Sequence, residues 1–340
     1  MKYQFPHTAI PGQEPERSQY LRHYFCDKRA CASLNGNQWL VTTSWPDEAE
    51  MYIDPQILDG LRWWSPDLSL SQIHEAVRDE PDAFQLSLND SWTLYAWSRW
   101  LSGRSLSETS EVVILHVDYH SDLMVPRLGV VDAVTYTDLM TGRDVDMRSP
   151  DTVRAAILSG AIGIGSFMAP FLHAVPKVHL RHLCNGPLNT LRSSFNQLIK
   201  ESEQDTLLAP GRQRPGVTFA SKDEAVVSGE SSISYRISDN LEALLTDLPD
   251  VPILLHVDMD YFNCRYDGDS DWDIHVNRYD PSASEIEERI EELIEGLCKS
   301  GIMPRVENIA VALSPGFFPV QFWDQSITAL KRGILKSKRC

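Results

Sequence analysis

The sequence predicts an α/β protein of three layers (α/β/α), with helices on both faces of a mostly parallel central sheet. Residues 113–122 and 252–260 each begin with an apolar run without helical periodicity, as strands buried on both faces of a parallel sheet do. Helical and strand-like patterns alternate over the remaining length, which is typical of this fold class. No linker marks a boundary, so residues 1–340 are predicted to form a single domain.

The order of elements follows from local patterns. Residues 1–88 are predicted to form an irregular or cap region, with a hairpin at 33–43 around Asn35-Gly36 and a short helical pattern at 71–78, and residues 89–320 form the core of the domain. Further helices are predicted at 91–103, 151–158, 240–248 and 282–300, further strands at 175–183, at 232–236 and from residue 308 onward, and a surface loop at 200–215.

Composition and charge exclude several classes of function. The formal net charge of −17 argues against nucleic acid as a partner, because that binding needs Lys and Arg to neutralise phosphates. No apolar run approaches the roughly 20 residues that span a membrane, and the first residues lack the apolar stretch of a signal peptide. The six scattered cysteines do not form a disulfide framework. A cytoplasmic protein with no membrane partner is therefore expected, and the oligomeric state is left open.

Both predicted buried strands end in charged residues. Asp118, His120 and Asp122 follow the first strand, and Asp258 and Asp260 follow the second. Alternate residues of an extended chain point to the same side, and open α/β sheets bind ligands beyond the carboxyl ends of their strands. Four carboxylates and an imidazole gathered there would repel one another unless cations bind between them. The sequence therefore predicts one or two divalent metal ions, and a carboxylate-rich set with one imidazole suits Mn²⁺ better than a thiolate zinc site does.

The order of these motifs, Asp-x-His-x-Asp after one strand and Asp-x-Asp after a later one, resembles the ureohydrolase superfamily of arginases and agmatinases. The flanking residues, HVDYHSDL at 116–123, LLHVDMDYF at 254–262 and LSPGFFP at 313–319, are similar to those of peptide arginases, which convert arginine in ribosomally made precursor peptides to ornithine. The resemblance covers about 89–320, the predicted catalytic core. It implies an arginase-like fold, two Mn²⁺ ions, release of urea, and an arginine-containing precursor peptide as partner.

The resemblance also implies roles for individual residues. Asp118 and Asp122 would bridge or chelate the ions, His120 would bind one of them, and Asp258 and Asp260 would complete the pair. The family places a further histidine ligand upstream at the start of a helix, and here Asp90 stands at that place as the candidate sixth ligand.

Recognition of the guanidinium group is expected to differ from that in arginases. Arginases carry a gripping glutamate after the last strand, but this chain has Ser314-Pro315-Gly316 there. Substrate binding is therefore expected from Glu307 or from the acidic loop 267–273 with Asp267 and Asp269. The EF-hand pattern does not explain that loop, because its sixth position is Trp272 and its twelfth is Arg278.

Catalysis would need a group that orients water and one that protonates the leaving amine. Asp122 or its neighbour is expected to take the first role, and His173, beside the glycine-rich run 160–170, is a candidate for the second. His116 and His256 precede each motif by two residues and are expected to support the ligands from behind rather than to bind metal.

Three alternatives to a peptide arginase are open. A hydrolase of free arginine or agmatine would use the same chemistry in a closed pocket. A deacetylase on a related fold would need a tyrosine or similar oxyanion donor, which the sequence does not identify. A non-catalytic metal-binding protein of the same fold would fit the departures at Asp90 and Ser314. The native ion could also be Fe²⁺ or Co²⁺.

Overall fold

A computed structural model describes residues 1–186, 196–219, 232–274 and 278–338. The strands are β1 (Lys2–Pro6), β2 (Arg29–Asn35), β3 (Gln38–Ser44), β4 (Val77–Glu80), β5 (Phe84–Ser87), β6 (Glu111–Val117), β7 (Leu128–Val130), β8 (Thr135–Asp138), β9 (Asp144–Asp146), β10 (Lys177–Leu183), β11 (Asn196–Gln204), β12 (Gln213–Phe219), β13 (Ser232–Ser238), β14 (Ile253–Asp258) and β15 (Val306–Ala312). The helices are α1 (Glu14–Phe25), α2 (Ile57–Trp64), α3 (Trp92–Ser102), α4 (Pro150–Ser159), α5 (Met168–Ala174), α6 (Leu241–Leu245), α7 (Ala283–Lys299) and α8 (Trp323–Ser337).

Within the described ranges, the main sheet has nine strands in the order β12-β11-β13-β10-β6-β14-β15-β5-β4. Its six central strands, β13 to β5, run parallel, and antiparallel strands complete both edges. The prediction of a mostly parallel sheet is confirmed. Within the predicted surface loop at 200–215, residues 205–212 connect β11 and β12, whereas 200–204 and 213–215 belong to these strands. Pro215 fits a sheet edge, where a missing N–H donor is tolerated.

Helices cover both faces of this sheet. In β6, Val112 and Ile114 belong to the apolar core formed with α3, α4 and α5, whereas Val113 and Leu115 belong to the core formed with α7 and α8. This alternation is the period of two that a strand imposes on its side chains. The predicted helices on both faces are confirmed.

Helix α7 illustrates how the sequence specifies an element. Ser282 and Glu285 form a reciprocal capping box at its start, and the amide of Ser282 donates to the Glu285 carboxylate over 2.8 Å. The residues of the predicted apolar stripe are all buried: Ile286, Ile290, Leu293 and Leu297. The helix begins at Ala283, as the predicted range requires.

The first 88 residues contain more regular structure than the sequence predicts. Strands β1, β3 and β2 form a small antiparallel sheet beside α1, and the predicted hairpin is present with Asn35 paired to Gln38. Strands β4 and β5 already belong to the main sheet, and the helical pattern at 71–78 is a short 3₁₀ turn (Leu70–Glu75) followed by β4. Across the described ranges, every helix is too short or too polar to cross a membrane.

Candidate metal centre

Two neighbouring strands bring the predicted motifs together. Strands β6 and β14 are parallel and adjacent, with His116 opposite His256 and Val117 opposite Val257. Asp118 and Asp258 therefore leave the same edge of the sheet side by side. This is the expected geometry, in which residues far apart in sequence meet at the carboxyl ends of parallel strands.

Five aspartates are buried at this edge. The exposed fraction of each residue is at most 7%: Asp90, Asp118, Asp122, Asp258 and Asp260. All but Asp118 line a cavity of about 480 Å³, together with His120 and Asp267. Its remaining wall is largely apolar, with Leu123, Met124, Ile164 and Phe317. The cavity thus combines a strongly acidic floor with water-excluding sides.

Within each motif, the backbone aims the first carboxylate. The amide of His120 donates to Asp118 Oδ1 over 2.6 Å, and the amide of Asp260 donates to Asp258 Oδ1 over 3.1 Å. These Asx-type bonds arise because an aspartate can accept from the amide two residues later. Ser314 Oγ also donates to Asp258 Oδ2 over 2.5 Å. Ser314 therefore supports a predicted ligand, a role that its position after the last strand did not reveal.

Asp90 reaches the cluster from a different part of the fold. It lies just after β5 and before α3, where the upstream ligand was expected. The amide of Gly165 donates to Asp90 Oδ2 over 3.0 Å, and Oδ1 has no hydrogen-bond partner. Gly165 adopts φ of +71°, which glycine adopts without steric cost.

Strained backbone occurs at two of the cluster's residues. Asp122 has φ of 51° and Ser314 has φ of 44°, in the left-handed region. This region is uncommon for residues other than glycine, and strain of this kind concentrates at functional sites. Aspartate tolerates it better than most residues do.

The aspartates resist ionisation in this environment. Burial first, and then repulsion from neighbouring aspartates, raise the pKa values of Asp90, Asp118 and Asp258 well above the ordinary carboxyl value. Burial likewise raises the pKa of Asp122 to about 6. A bound cation would reverse this preference, because it stabilises the ionised carboxylates.

His120 is the positive side chain of the cluster. Burial by itself would lower its pKa, but attraction to Asp260 and hydrogen bonds to Asp260 and Asp267 raise the pKa to about 11. Its Nδ1 lies 2.8 Å from Asp260 Oδ2 and its Nε2 lies 2.9 Å from Asp267 Oδ1. Asp267, predicted to bind substrate, therefore lies at the site.

Several buried oxygens in the cluster have no donor. Asp90 Oδ1, Asp118 Oδ2 and Asp122 Oδ2 all lack a hydrogen-bond partner. Buried polar atoms without partners are rare, and a cation is one way of satisfying carboxylate oxygens. Among the described residues, ligand atoms within 4.8 Å of one another form three groups: His116, Asp118, Asp122 and His256; Asp118, His120 and Asp260; and His120, Cys264 and Asp267. The residues present therefore fit divalent metal ions.

His116 and His256 lie deeper than the aspartates. Their Nδ1 atoms are 2.8 Å apart, and His116 Nε2 lies 3.1 Å from the carbonyl of His120, to which it donates. Burial lowers the pKa of both histidines, that of His256 to about 3, so they are neutral. Their membership of the first group allows direct metal binding as well as the supporting role that was expected.

A third buried histidine was not identified from the sequence. His182 of β10 lies opposite His116 in the sheet register. Its Nε2 donates to the carbonyl of Asp118 over 3.1 Å, and its Nδ1 accepts from the Tyr235 hydroxyl over 2.9 Å. His182 therefore fixes the backbone of a predicted ligand. Its place at the end of a predicted strand, 175–183, was the available signal.

His173, the candidate proton donor, lies elsewhere. It is near the end of α5, and its Nε2 donates to the carbonyl of Gly216 in β12 over 2.7 Å. The sequence placed it beside the glycine-rich run, but the intervening helix turns it toward a neighbouring strand. It does not line the described part of the carboxylate cavity.

Glu307 is also remote from the cluster. It accepts from Trp100 Nε1 and pairs with Arg104, in both cases over 2.7 Å. It stands at the amino end of β15, and at about 3.3 Å per residue it lies roughly 17 Å from the other end of that strand. Asp269 belongs to the acidic loop, where it accepts from the Asp271 amide over 2.9 Å, and it does not line the described cavity. Of the three predicted substrate-binding residues, the structure brings Asp267 to the site.

Comparison with known proteins gives no further guide. A scan against protein-family models and a search of curated proteins each found no match for this chain. Assignment of a function therefore depends on the geometry of the cluster and on the motifs that build it.

Proposed function

We propose that this chain is a Mn²⁺-dependent hydrolase that converts arginine within a peptide to ornithine and urea, with a role in the maturation of a peptide product in the cytoplasm. The observation that supports the proposal most is the meeting of the Asp-x-His-x-Asp and Asp-x-Asp motifs in one cavity at the ends of adjacent parallel strands. This arrangement resembles that of arginases. The preference for a peptide over free arginine comes from the resemblance to peptide arginases.

The metal ions would be held by the residues with unsatisfied or convergent oxygens. These are Asp90, Asp118, His120, Asp122, Asp258 and Asp260, with His116 and His256 as further donors. A set dominated by carboxylate oxygens suits Mn²⁺. When bound, such ions supply Lewis acidity and lower the pKa of water.

The chain's own residues would position the substrate. Asp267, at the rim, offers a carboxylate to the guanidinium group in place of the glutamate that arginases use. Leu123, Ile164 and Phe317 would contact the side-chain methylenes and exclude water from the acidic floor. A cationic substrate would also be drawn by the negative charge of the protein, so its binding should weaken with salt.

Proton transfer would fall to Asp122. Its Oδ2 has no hydrogen-bond partner, and the residue lines the cavity. It can accept the proton of the attacking water and return it to the departing amine. His173 is not retained for this role, because it bonds to Gly216 instead.

The test is to incubate the protein with Mn²⁺ and an arginine-containing peptide, and to measure the molecular mass of the peptide by mass spectrometry. Loss of CH₂N₂ by hydrolysis lowers its mass by about 42 units. Asp122→Asn should lower the rate of peptide hydrolysis about 100-fold. Asp82→Asn is the matched control, because Asp82 shares the left-handed backbone (φ 58°) but lies exposed outside the cavity. Urea from free arginine or agmatine alone would refute the peptide substrate, and no urea from any of them would refute the hydrolase.

A metal-binding protein without turnover is the second candidate. Ser314 favours it, because this residue replaces the gripping glutamate and instead donates to Asp258. Such a protein would bind Mn²⁺ and lose that binding on Asp122→Asn, but would leave every arginine substrate unchanged.

A further inference from the structure

A second depression adjoins the carboxylate cavity. It has a volume of about 670 Å³, and Ile164 and Phe317 line both spaces. Its other walls come mainly from the first 53 residues, including Asp27, Trp45 and Tyr52. We call this depression the N-terminal groove. Its volume lies within the range of ligand pockets, and it opens beside the acidic floor.

The groove has a fixed aromatic wall. Trp45 stacks on His74 with ring centroids 3.9 Å apart, and the Lys28 ammonium lies 4.7 Å from the Trp45 ring. Lys28 Nζ also donates to the carbonyl of Ser159 over 2.8 Å, which holds this cation against the wall. A wall held by stacking and hydrogen bonds is preorganised for a ligand.

Asp27 gives the groove an anionic group. Its Oδ2 accepts from the amide of Ile164 over 2.8 Å. Lys28 and Arg127 attract this carboxylate, but their side chains donate to the carbonyls of Ser159 and Tyr24. A Cβ atom on Gly163 would clash with Oδ2, so this contact requires glycine there. The same turn supplies Gly165, whose amide binds Asp90. One turn thus connects the groove with the metal cluster.

Residues with a strained backbone line both the cavity and the groove. Among the described residues, seven other than glycine have positive φ, and five of them line the cavity or the groove: Cys26, Ile53, Asp122, Asp267 and Ser314. Ile53 has φ of 65°, which is a genuine outlier for a β-branched side chain. Such strain concentrates at functional sites.

We propose that the N-terminal groove binds the peptide segment that flanks the target arginine, with Asp27 pairing with a basic side chain of that segment. This inference rests on the proposed function for the identity of the substrate. An arginine side chain reaches only about 6 Å from its Cα, given ordinary bond lengths. A peptide whose guanidinium lies at the acidic floor must therefore keep its backbone close to the cavity, and Ile164 and Phe317, which line both spaces, place the groove next to it. A single amino acid would leave the groove empty.

The test measures binding rather than turnover. Fluorescent peptides with ornithine in place of the target arginine are titrated with the full chain and Mn²⁺, and acetyl-ornithine amide serves as the short competitor. A single lysine or glutamine is placed at each flanking position in turn. The longer probes should bind about tenfold more tightly than the short one, and one lysine position should exceed its glutamine counterpart. Asp27→Asn should remove that lysine preference.

A variant at an exposed residue tests the groove even if Asp27→Asn disturbs folding. Met51 is 49% exposed and lines the groove, so Met51→Arg should weaken the long probes about fivefold and leave the short one unchanged. Leu106→Arg is the control, because Leu106 is 73% exposed and lies outside the groove.

Equal affinity for long and short probes, or no effect of Met51→Arg on the long probes, would overturn the proposal that the groove binds the flanking segment. Free ornithine, which keeps its α-amino group, is titrated as a second competitor. If Asp27→Asn weakens only free ornithine and leaves the long probes unchanged, Asp27 would instead bind the α-amino group of a free amino acid, and this result would also overturn the proposal. Hydrolysis is measured separately on arginine peptides, so a groove that binds without turnover refutes the hydrolase alone.

Discussion

Replacing Asp122 by asparagine should stabilise the metal-free protein and remove its response to Mn²⁺. Asparagine has the same shape as aspartate and tolerates the left-handed backbone at this position (φ 51°), so the change removes charge without adding strain. Its amide can also donate to Asp118, the neighbouring carboxylate. The opposite signs of the two effects separate a metal site from a set of merely structural carboxylates.

The magnitude follows from the pKa of Asp122. Burial raises this pKa from 3.8 to about 6. A raised folded-state pKa gives stability that is complete below 3.8 and is lost as the pH rises through about 6. The loss is about 3 kcal/mol at neutral pH, since one pKa unit is 1.36 kcal/mol. Asp122→Asn avoids it, so the variant should match the wild type near pH 4 and melt about 4 °C higher at pH 7, given the usual unfolding entropy per residue.

Thermal melts after dialysis against EDTA, with and without added Mn²⁺, provide the assay. At 1,000 times its dissociation constant, Mn²⁺ should stabilise the wild type by about 4 kcal/mol, and the variant should lose most of this gain. Asp82→Asn makes the same chemical change at an exposed residue with φ of 58°, and should alter neither value. A metal-free Asp122→Asn protein that melts lower than the wild type, or that keeps the full Mn²⁺ shift, would refute the reasoning.

Three further substitutions test the support of the site and the core. Ser314→Ala removes the donor to Asp258 and should weaken Mn²⁺ binding about tenfold, as measured by competition with a chelator; unchanged affinity would show that this bond does not orient the ligand. Tyr235→Phe leaves the buried Nδ1 of His182 without its donor and should lower the free energy of unfolding in urea by about 1–3 kcal/mol. An unchanged free energy of unfolding would mean that water replaces the hydroxyl at that nitrogen. Gly60→Ala puts a Cβ 2.7 Å from the Trp323 ring and should destabilise the fold by about 1–3 kcal/mol in the same assay; an unchanged midpoint would mean that α2 shifts freely.

Local pattern was sufficient where the chain's own neighbours decide the outcome. The buried strands β6 and β14 show as apolar runs, and the start of α7 shows in its capping residues. The meeting of Asp118 with Asp258 was also predictable, because parallel strands end at a common edge. The loop predicted at 200–215 was too long, because only 205–212 lies outside β11 and β12, and an antiparallel pair at a sheet edge needs little apolar alternation.

The sequence by itself determined that the protein is α/β and that its carboxylates follow two buried strands, because both facts are written in short stretches of neighbouring residues. Only the tertiary structure decided that His182 lies opposite His116, that His173 and Glu307 lie away from the cluster, and that Asp27 borders the same turn as Asp90. These relations join residues far apart in the chain. They depend on which strands are neighbours and on where each helix returns the chain, and packing of the whole domain fixes both.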